Sequence, residues 1–419
     1  MNTKRILFAL LIAVAGLAAA CSSATPAPTP QSATSTVEVQ AATSTVEAPT
    51  AAPTAPPAPP SPDPISIVQS FWDALIAKDV DAAVALLADD ARWEGVPTTS
   101  GKDNIRVLLQ VDIDAGVTYE VSDFRATRGR VTYFWSAYQN GVMQTSGEDV
   151  AVVDNGKITA FESYAFLGDD ARPPIAEAAF TASDSAFSGP DEIAGSWVKI
   201  ALTNEGQEPH HIQLVKLEEG KTPDDLKTAL TSDAENYPAW AVPYGGPNAP
   251  DPGGSASAIV YLEAGFYALI DIIPNAEGVP HFQSGLLKGL TVTQAPKIMP
   301  GEPKPGVTVD LADFSFTLSG SPAAGEQMIR FRNAGSQVHE AFLVKLADGK
   351  TAEDYLNTPP GAIPPGVSLG GITGIAPGDG QYIEVTLEPG TYALFCFLPD
   401  PGTHAPHFVQ GMIQEFTIE

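Results

Sequence analysis

The chain has 419 residues, a length sufficient for two or three domains, and its hydrophobic content of 44% excludes a fully disordered protein. It carries 22 Lys and Arg against 50 Asp and Glu, and the resulting net charge of −28 argues against nucleic acid as a partner, because phosphate backbones repel such a surface. With 37 Gly and 38 Pro, the composition favours turn-rich β structure and a proline-rich linker over a helical bundle.

The amino-terminal segment has the pattern of an export signal. Lys4 and Arg5 precede an apolar run that is too short for an ordinary membrane-spanning helix and that ends in small residues before Cys21. Residues 17–21 (LAAAC) resemble a bacterial lipobox, which implies cleavage after a signal peptide of residues 1–20 and lipidation of Cys21. A plain secretory signal with an incidental cysteine is the alternative. We expect an extracytoplasmic protein anchored to the membrane by its N-terminal lipid.

Residues 21–64 are predicted to form a linker whose first residue is the cysteine expected to be lipidated. They are mainly Ala, Thr, Ser and Pro, a composition that offers no core. We therefore expect a disordered, partly polyproline II tether, and about 43 such residues would span roughly 35–40 Å as a flexible coil. A mucin-like glycosylated stalk is the alternative.

Residues 65–168 are predicted to form the first folded domain. Apolar residues recur at helical spacing in its first turns, a second helix that includes Leu86 and Leu87 follows Asp79, and a third begins after residue 101. The rest alternates as strands joined by two Asn-Gly hairpin turns. Helices followed by a curled antiparallel sheet predict an α+β cone.

Four motifs of this segment point to a known superfamily. They are residues 67–71 (IVQSF), 78–81 (KDVD), 86–91 (LLADDA) and 101–105 (GKDNI). Together they resemble the nuclear transport factor 2-like superfamily, and among its branches the SnoaL-like proteins and the ketosteroid isomerases. The resemblance covers nearly the whole segment and implies the same cone fold.

The resemblance does not carry the isomerase chemistry with it. It puts Gly95 at the place of the general base, Phe71 at that of the oxyanion-holding tyrosine and Glu148 at that of the second oxyanion acid. Proton transfer of this kind needs both a base and an oxyanion donor, so we assign no catalytic residue. Trp93, Trp135 and Glu148 are candidates for lining a pocket for an apolar ligand, and plain core packing is the alternative for the aromatic residues.

The remaining chain contains two copies of one unit, predicted to span residues 173–295 and 297–419. Short β-rich runs separated by Gly, Pro and Asp predict a β-sandwich in each copy of roughly 120 residues. The recurring motifs, first copy before second, are residues 204–206 and 333–335, 214–217 and 343–346, 220–222 and 349–351, 262–269 and 387–394, and 280–282 and 406–408.

All six His lie in these copies, and the second copy holds His339, Cys396, His407 and Met412 in that order. Two imidazoles and a thiolate around a metal, with a weak axial thioether, make a type 1 copper site. The segments 333–339 (NAGSQVH), 390–396 (GTYALFC) and 407–412 (HFVQGM) resemble the ligand loops of plastocyanins. Both copies therefore resemble the cupredoxin family, which implies Greek-key sandwiches and, for the second copy, one copper ion.

Two features bear on this copper prediction. The loop from Cys396 to His407 is longer than in plastocyanins or azurins and contains His404, a possible substitute ligand; we favour His407 because the first copy also has a histidine at that place. If Cys21 is lipidated, Cys396 has no disulfide partner in the chain, and a lone exported thiol needs a metal or burial. A buried cysteine acting as a small hydrophobe is the alternative.

The first copy keeps His210 and His281 but has Asp271 and Leu286 where the second copy has its thiol and thioether. Without a thiolate a type 1 site is impossible. A site of two His and Asp271 for Cu(II) or Zn(II) is one interpretation, and a degenerate, metal-free copy is the one we expect.

The combined expectation is an exported, lipid-anchored copper protein that transfers single electrons to a partner with a basic surface. The alternatives are a metal-free surface protein for ligand binding or adhesion, whose cone binds a small apolar molecule, and an enzyme in the cone. Five Met in the whole chain provide no Met-rich tract for copper storage.

Overall fold

The computed structural model describes residues 63–94, 98–163, 173–232, 237–296, 300–359 and 362–419, which all belong to one structural unit. The predicted signal peptide, Cys21, nearly all of the tether and Gly95 lie outside these residues. The described part is multidomain and mostly β, and no helix in it is long and apolar enough to cross a membrane.

The first domain begins with helices whose starts are set by aspartate caps. The helices are α1 (Pro64–Ile76), α2 (Val80–Ala85) and α3 (Lys102–Asp114). The Asp63 carboxylate accepts from the backbone of α1 and the Asp79 carboxylate accepts from that of α2, so each satisfies an N–H group that has no partner within its helix. Proline occupies the first position of α1, where its missing N–H costs nothing.

The sheet of the first domain has the strand order β2-β1-β6-β5-β4-β3, and its only parallel pair is β1 with β6. Its strands are β1 (Leu87–Glu94), β2 (Thr99–Ser100), β3 (Val117–Thr127), β4 (Arg130–Gln139), β5 (Val142–Asp154) and β6 (Lys157–Ser163). Both Asn-Gly turns are present, at 140–141 and 155–156, with positive φ at both residues, as the tight hairpin turns require.

One local prediction was wrong. Leu86 and Leu87 were expected to continue the second helix, but α2 ends at Ala85 and Leu87 begins β1. Leu87 pairs with Ile158 of β6, a partner more than seventy positions along the chain, and both side chains are buried. A short apolar run contains too few residues for its periodicity to distinguish a helix from a strand. Pairing with a distant strand therefore determines which of the two forms.

The two repeated units form the rest of the molecule. The elements of the first are β7 (Ala176–Ser183), β8 (Ala186–Ser188), β9 (Glu192–Ala194), β10 (Ser196–Asn204), β11 (Gln213–Leu217), α4 (Pro223–Ser232), β12 (Ala241–Pro243), β13 (Ser255–Leu262), β14 (Gly265–Ile270), α5 (His281–Ser284) and β15 (Leu287–Thr293). Those of the second are β16 (Val307–Ala312), β17 (Ser315–Ser319), β18 (Gly325–Asn333), β19 (His339–Leu346), α6 (Ala352–Leu356), β20 (Gly366–Ile375), β21 (Gly380–Leu387), β22 (Gly390–Phe395), a 3-10 turn (His407–Gln410) and β23 (Ile413–Ile418).

These strands are arranged in three sheets. An eight-stranded sheet runs β17-β16-β18-β21-β13-β10-β7-β8 and so includes both units. A five-stranded sheet (β12-β11-β14-β15-β9) belongs to the first unit and a four-stranded sheet (β20-β19-β22-β23) to the second. Buried residues of all three sheets belong to one hydrophobic cluster, so each unit is a two-layer β structure and the cores are continuous.

The two units are joined by direct backbone pairing. Strand β13 pairs with β21 at Ile259 and Tyr382, and the segment 244–250 of the first unit lies antiparallel along β20. Two hydrogen bonds of this segment are Asn248 N to Gly371 O at 3.1 Å and Thr373 N to Gly246 O at 2.9 Å. The units therefore share both a sheet and a core.

The first domain contacts both units through arginine side chains. Arg128 forms an ion pair with Asp379 of the second unit, and its guanidinium lies 3.1 Å from the ring centre of Tyr244 in the first. In the opposite direction, Arg330 Nη2 donates to the carbonyl oxygen of Ala126 at 2.7 Å. These charged groups are almost completely buried, so the three parts pack against one another through specific polar contacts.

Candidate metal centre

The predicted copper ligands are brought together at one end of the four-stranded sheet. His339 is the first residue of β19, and Cys396 directly follows β22, the neighbouring antiparallel strand. His407 begins the 3-10 turn, and Met412 comes directly before β23, which pairs with β22 on its other side. All four side chains are buried. The sheet register therefore places four residues that are far apart in sequence at one buried end of the sheet.

We call His339, Cys396 and His407 the thiol cluster. His407 Nδ1 lies 3.1 Å from His339 Nδ1 and 3.3 Å from Cys396 Sγ. One donor atom from each residue lies within 4.8 Å of the other two, and Cys396 is a free thiol. Two imidazole nitrogens and one sulfur thus converge in a space without solvent exposure.

Hydrogen bonds on the outer side of the cluster determine the histidine tautomers. His339 Nε2 lies 2.8 Å from Asp313 Oδ1, and because a carboxylate only accepts, this nitrogen carries the proton. His407 Nε2 lies 3.0 Å from Gln337 Oε1, and the amide orientation is set by Gln337 Nε2, which donates to Asp400 Oδ2 at 2.8 Å. Both Nε2–H groups therefore point outward, which leaves the Nδ1 lone pairs facing inward.

The electrostatics of the thiol cluster agree with neutral imidazoles. Burial and the neighbouring His339 lower the pKa of His407 to about 4, and burial lowers the pKa of His339 although Asp313 acts to raise it. Burial, with the Glu340 carboxylate nearby, raises the pKa of the Cys396 thiol well above its usual value. A bound cation would reverse this last effect, because metal binding releases the thiol proton.

The remaining ligand candidates are also located. Met412 is fully buried in the same hydrophobic cluster as Cys396, and its carbonyl oxygen accepts from Cys396 N at 3.3 Å. His404 is exposed and has a positive φ of 60°, and it is not part of the thiol cluster. The long loop after Cys396 therefore returns His407 to the cluster and leaves His404 at the surface.

Glycine permits the chain to pass close to the first histidine. A Cβ on Gly335 would lie 2.7 Å from His339 Nε2 and 2.4 Å from Asp313 Oδ1, both shorter than real contacts. In the first copy Gly206 stands in the same relation to His210 and Asp184. Any larger residue at these positions has to displace the ring or its acceptor.

A second buried group occupies the equivalent place in the first copy. We call His210, Asp271 and His281 the carboxylate cluster. Asp271 Oδ2 lies 2.8 Å from His210 Nδ1 and 3.0 Å from His281 Nδ1, and the donor atoms all lie within 4.8 Å of one another. Leu286, which replaces the thioether, is fully buried. The two copies thus place different chemistry at the same position.

Between the two clusters lies a pair of polar residues that follow the first histidine of each copy. His211 Nε2 accepts from Ile272 N at 3.1 Å, and burial lowers its pKa. Glu340 Oε1 accepts from Phe397 N at 2.8 Å, and Glu340 Oε2 accepts from Asn248 Nδ2 at 3.3 Å. Burial raises the pKa of Glu340 to about 7. Asn248, from the first copy, therefore connects the two units directly beside the thiol cluster.

Of the three residues predicted to line a pocket in the cone, Trp93 and Trp135 pack against its hydrophobic core and Glu148 lies on the other face of the sheet from Trp135. Trp93 packs against Phe161 with ring centres 4.6 Å apart. Glu148 pairs with Phe134 while Trp135 pairs with Gly147, so Glu148 and Trp135 point to opposite faces of the sheet. Glu148 instead lies 3.2 Å from Arg125, which also approaches Glu302 of the second unit.

The position predicted for the oxyanion tyrosine is filled by packing. Phe71 is fully buried in α1, and its ring centre lies 4.8 Å from that of Phe161 and 5.6 Å from that of Trp72. It therefore contributes to the core of the cone. Gly95, the place of the base, lies outside the described residues.

Sequence reasoning missed the residues that orient the histidines. These are Asp184 and Glu208 in the first copy and Asp313 and Gln337 in the second. The sequence did contain a signal. In both copies the two residues precede the first histidine, His210 or His339, by the same numbers of positions, so the repeat relates them to each other.

Comparison with known proteins supports the assignment of the cone. Residues 68–161 match the model of the SnoaL-like domain family. Similar solved structures include an NTF2-like protein of unknown function from Cytophaga hutchinsonii (17% identity, 24% of this chain and 88% of that chain, TM-score 0.23), an uncharacterized cystatin-fold protein from Novosphingobium aromaticivorans (18%, 24%, 97%, 0.22) and an LEH-like epoxide hydrolase from M. tuberculosis (26%, 26%, 85%, 0.23). No curated protein sequence matches the chain. Residues 68–161 form a SnoaL-like domain.

Proposed function

We propose that the second copy is a cupredoxin-like domain in which His339, Cys396 and His407 would hold one copper ion, with the thioether of the buried Met412 as a fourth, weaker ligand. The observation that carries this proposal is the set of hydrogen bonds that holds both Nε2 protons outward while two Nδ1 atoms and a sulfur converge. A donor set of two imidazoles and one thiolate is the one that type 1 copper requires. Without a cation, the two Nδ1 lone pairs face each other at 3.1 Å, and the Cys396 thiol, whose Sγ lies 3.3 Å from His407 Nδ1, can donate to one of them.

The outer contacts give these residues their roles. Asp313 holds His339, and the Asp400–Gln337 pair holds His407, so both rings are oriented before any ion enters. A bound copper ion would supply one-electron redox chemistry. Because the ligands come from a sheet end and a short hydrogen-bonded turn, they would move little between Cu(I) and Cu(II), and we propose electron transfer as the function.

The setting of this function is also a proposal. Export and lipidation at Cys21 would anchor the protein outside the cytoplasm, and the tether would let the copper domain reach a redox partner. The net charge of −28 favours a partner with a basic surface and predicts an association that weakens with ionic strength.

Visible absorption of the full chain tests the copper site. We expect added Cu(II) to produce an intense thiolate-to-copper charge-transfer band that saturates at one ion per thiol cluster, which a reductant bleaches and an oxidant restores. Cys396→Ser should lose the band, and the matched loop variant His404→Ala should keep it. A folded wild-type chain that shows no such band after addition of Cu(II) would contradict the proposal, whatever copper it retains elsewhere, and would leave ligand binding or adhesion as the alternative role.

A further inference from the structure

The carboxylate cluster of the first copy is not used by the copper proposal. We propose that His210, Asp271 and His281 form a second metal site, which takes a divalent borderline cation of the Zn(II) class. This inference stands independently of copper binding in the second copy, because it rests on different residues and a different donor set.

The geometry of the ligands comes first. A single oxygen, Asp271 Oδ2, lies within 3.0 Å of the Nδ1 atoms of both histidines, and the two ring centres are 4.6 Å apart. His210 and Asp271 are completely buried and His281 is 2% exposed. Three donor atoms from β11's leading loop, the end of β14 and the start of α5 therefore surround one small buried volume.

The outer partners provide the second, independent observation. His210 Nε2 lies 3.1 Å from Asp184 Oδ1, and His281 Nε2 lies 2.7 Å from Glu208 Oε2. Because carboxylates only accept, both Nε2 atoms carry protons, as in histidines that bind a metal through Nδ1 and are oriented by a carboxylate. Each Nδ1 can then present a lone pair toward the centre.

The negative charge of the carboxylates around the two histidines favours the binding of a cation. The two imidazoles are enclosed by three carboxylates, Asp271 within the cluster and Asp184 and Glu208 outside it. In the thiol cluster an uncharged amide, Gln337, takes the place that Glu208 has here. The first copy therefore places more carboxylates in direct contact with its histidines than the second copy, where Asp313 alone does so among the described contacts, and a dication offsets this charge better than a monovalent ion.

The types of donor atom indicate which metal ion the cluster would bind. An oxygen replaces the thiolate, and the buried Leu286 replaces the thioether, so no sulfur remains to favour Cu(I). Two imidazoles with one carboxylate are typical of Zn(II), which tolerates a small, nearly closed site. Such an ion would not change its oxidation state, so the first copy would hold a redox-silent ion beside the redox-active one.

The competing arrangement needs no metal. Both histidines would then be imidazolium ions, each between Asp271 and its outer carboxylate, and the same distances would be ordinary charged hydrogen bonds. The two arrangements differ in metal content, so a metal-binding measurement separates them.

The test uses the full chain carrying Cys396→Ser, which disables the thiol cluster and makes a failure here distinguishable from a failure of the copper proposal. Equilibrium dialysis against Zn(II) should leave one equivalent bound. Co(II), used as a spectroscopic probe, should give the d–d bands of a tetrahedral nitrogen–oxygen site without thiolate charge transfer. A folded chain that takes up neither ion would refute the second metal site.

Variants in the same background assign the bound ion to this cluster. Asp271→Asn should weaken Zn(II) binding by at least about 100-fold, because the isosteric amide loses the charge of the ligand. Glu208→Gln, at a partly exposed side chain, should weaken it by about 10- to 100-fold, and the matched exposed variant Glu205→Gln should leave it unchanged. If Asp271→Asn does not fold, the comparison of the two glutamate variants decides. Equal Zn(II) affinity in the Glu208 and Glu205 variants would overturn the assignment.

Discussion

Individual side chains outside the thiol cluster control what its donor atoms can do. Asp400 accepts from the Gln337 amide nitrogen, which turns the amide oxygen toward His407 and keeps the proton on the outer ring nitrogen. Hydrogen bonds from Gln337 and Thr403 lower the pKa of Asp400 to about 2, so this carboxylate is charged at neutral pH. The orientation of His407 therefore depends on two residues that would never touch the metal.

Replacing Gln337 by Leu tests this dependence. The variant removes the acceptor for His407 Nε2 while leaving all four proposed ligands, so we expect copper affinity to fall by about 10- to 100-fold. Competition with a chelator of known affinity measures the change. Gln410→Leu is the control, since Gln410 is an exposed residue of the neighbouring turn. Equal affinities in the two variants would show that the Gln337 contact does not matter for the site.

Sequence order was enough to nominate His339, Cys396 and His407, because ligand type and spacing are local properties, and the structure does bring these three together. The outer partners were beyond such reasoning. Asp313 follows a different strand, β16, and reaches His339 only once the two layers have packed. A contact made by tertiary packing leaves no spacing pattern within one motif, although the repeat contained a hint.

Among the connecting elements, the turn between β18 and β19 is built around the close approach of Gly335 to His339. Its φ lies outside the left-handed region, so the glycine is required by space and not by backbone conformation. The turn thereby fixes how near the backbone comes to the outer face of the imidazole ring.

Gly335→Ala should therefore damage the site more than the fold. The added Cβ must push the His339 ring or the Asp313 carboxylate aside, and we expect a loss of about 1–3 kcal/mol in the free energy of unfolding together with weaker copper binding. Urea unfolding and copper titration measure the two effects. Gly306→Ala is the control, because a Cβ there meets only Gln327 Oε1 at 3.8 Å. Unaltered copper binding in Gly335→Ala would contradict this view of the turn.

Elements with strong local signals were predictable and others were not. The three helices of the cone and its Asn-Gly turns were correctly predicted, because caps such as Asp79 and turn residues act over a few positions. The predicted end of α2 was wrong because Leu87 belongs to β1 and pairs with Ile158 of β6. A buried leucine at the start of a β-strand and one at the end of a helix look alike in sequence.

In the molecule as a whole, Arg128 is the residue through which the cone contacts both repeated units. It pairs with Asp379, lies against the ring of Tyr244 and donates to Pro243 O at 3.3 Å. No sequence pattern predicted this contact, because Arg128, Asp379 and Tyr244 lie far apart in the sequence. Its burial makes the three parts interdependent.

Arg128→Ala should leave the buried Asp379 carboxyl without its cation. Because burial already raises the pKa of Asp379 to about 7, protonation relieves part of the cost, and we expect a loss of about 3 kcal/mol in the free energy of unfolding. Urea unfolding followed by tryptophan fluorescence should also separate into more than one transition as the cone uncouples. Asp379→Asn added to this variant should restore part of the loss. The control is Arg92→Ala, at an exposed ion pair worth about 0–1 kcal/mol. A single transition at wild-type stability would argue against the coupling.

The junction between the repeated units has a symmetry that the repeat makes visible. When the offset of 125 residues between the motifs 262–269 and 387–394 is carried back along the chain, Pro247 corresponds to Ile372, and these two residues form a bridge with each other. The same offset also relates β13 to β21, which pair in antiparallel fashion, and it exchanges the two junction hydrogen bonds, Asn248 to Gly371 and Thr373 to Gly246. The same surface thus meets itself about a local twofold axis, which is the geometry of a homodimer whose subunits have been fused into one chain.

In an unfused dimer every substitution appears twice, whereas after fusion each half can mutate alone. Such freedom is what allows one half to carry a thiol where its twin carries a carboxylate.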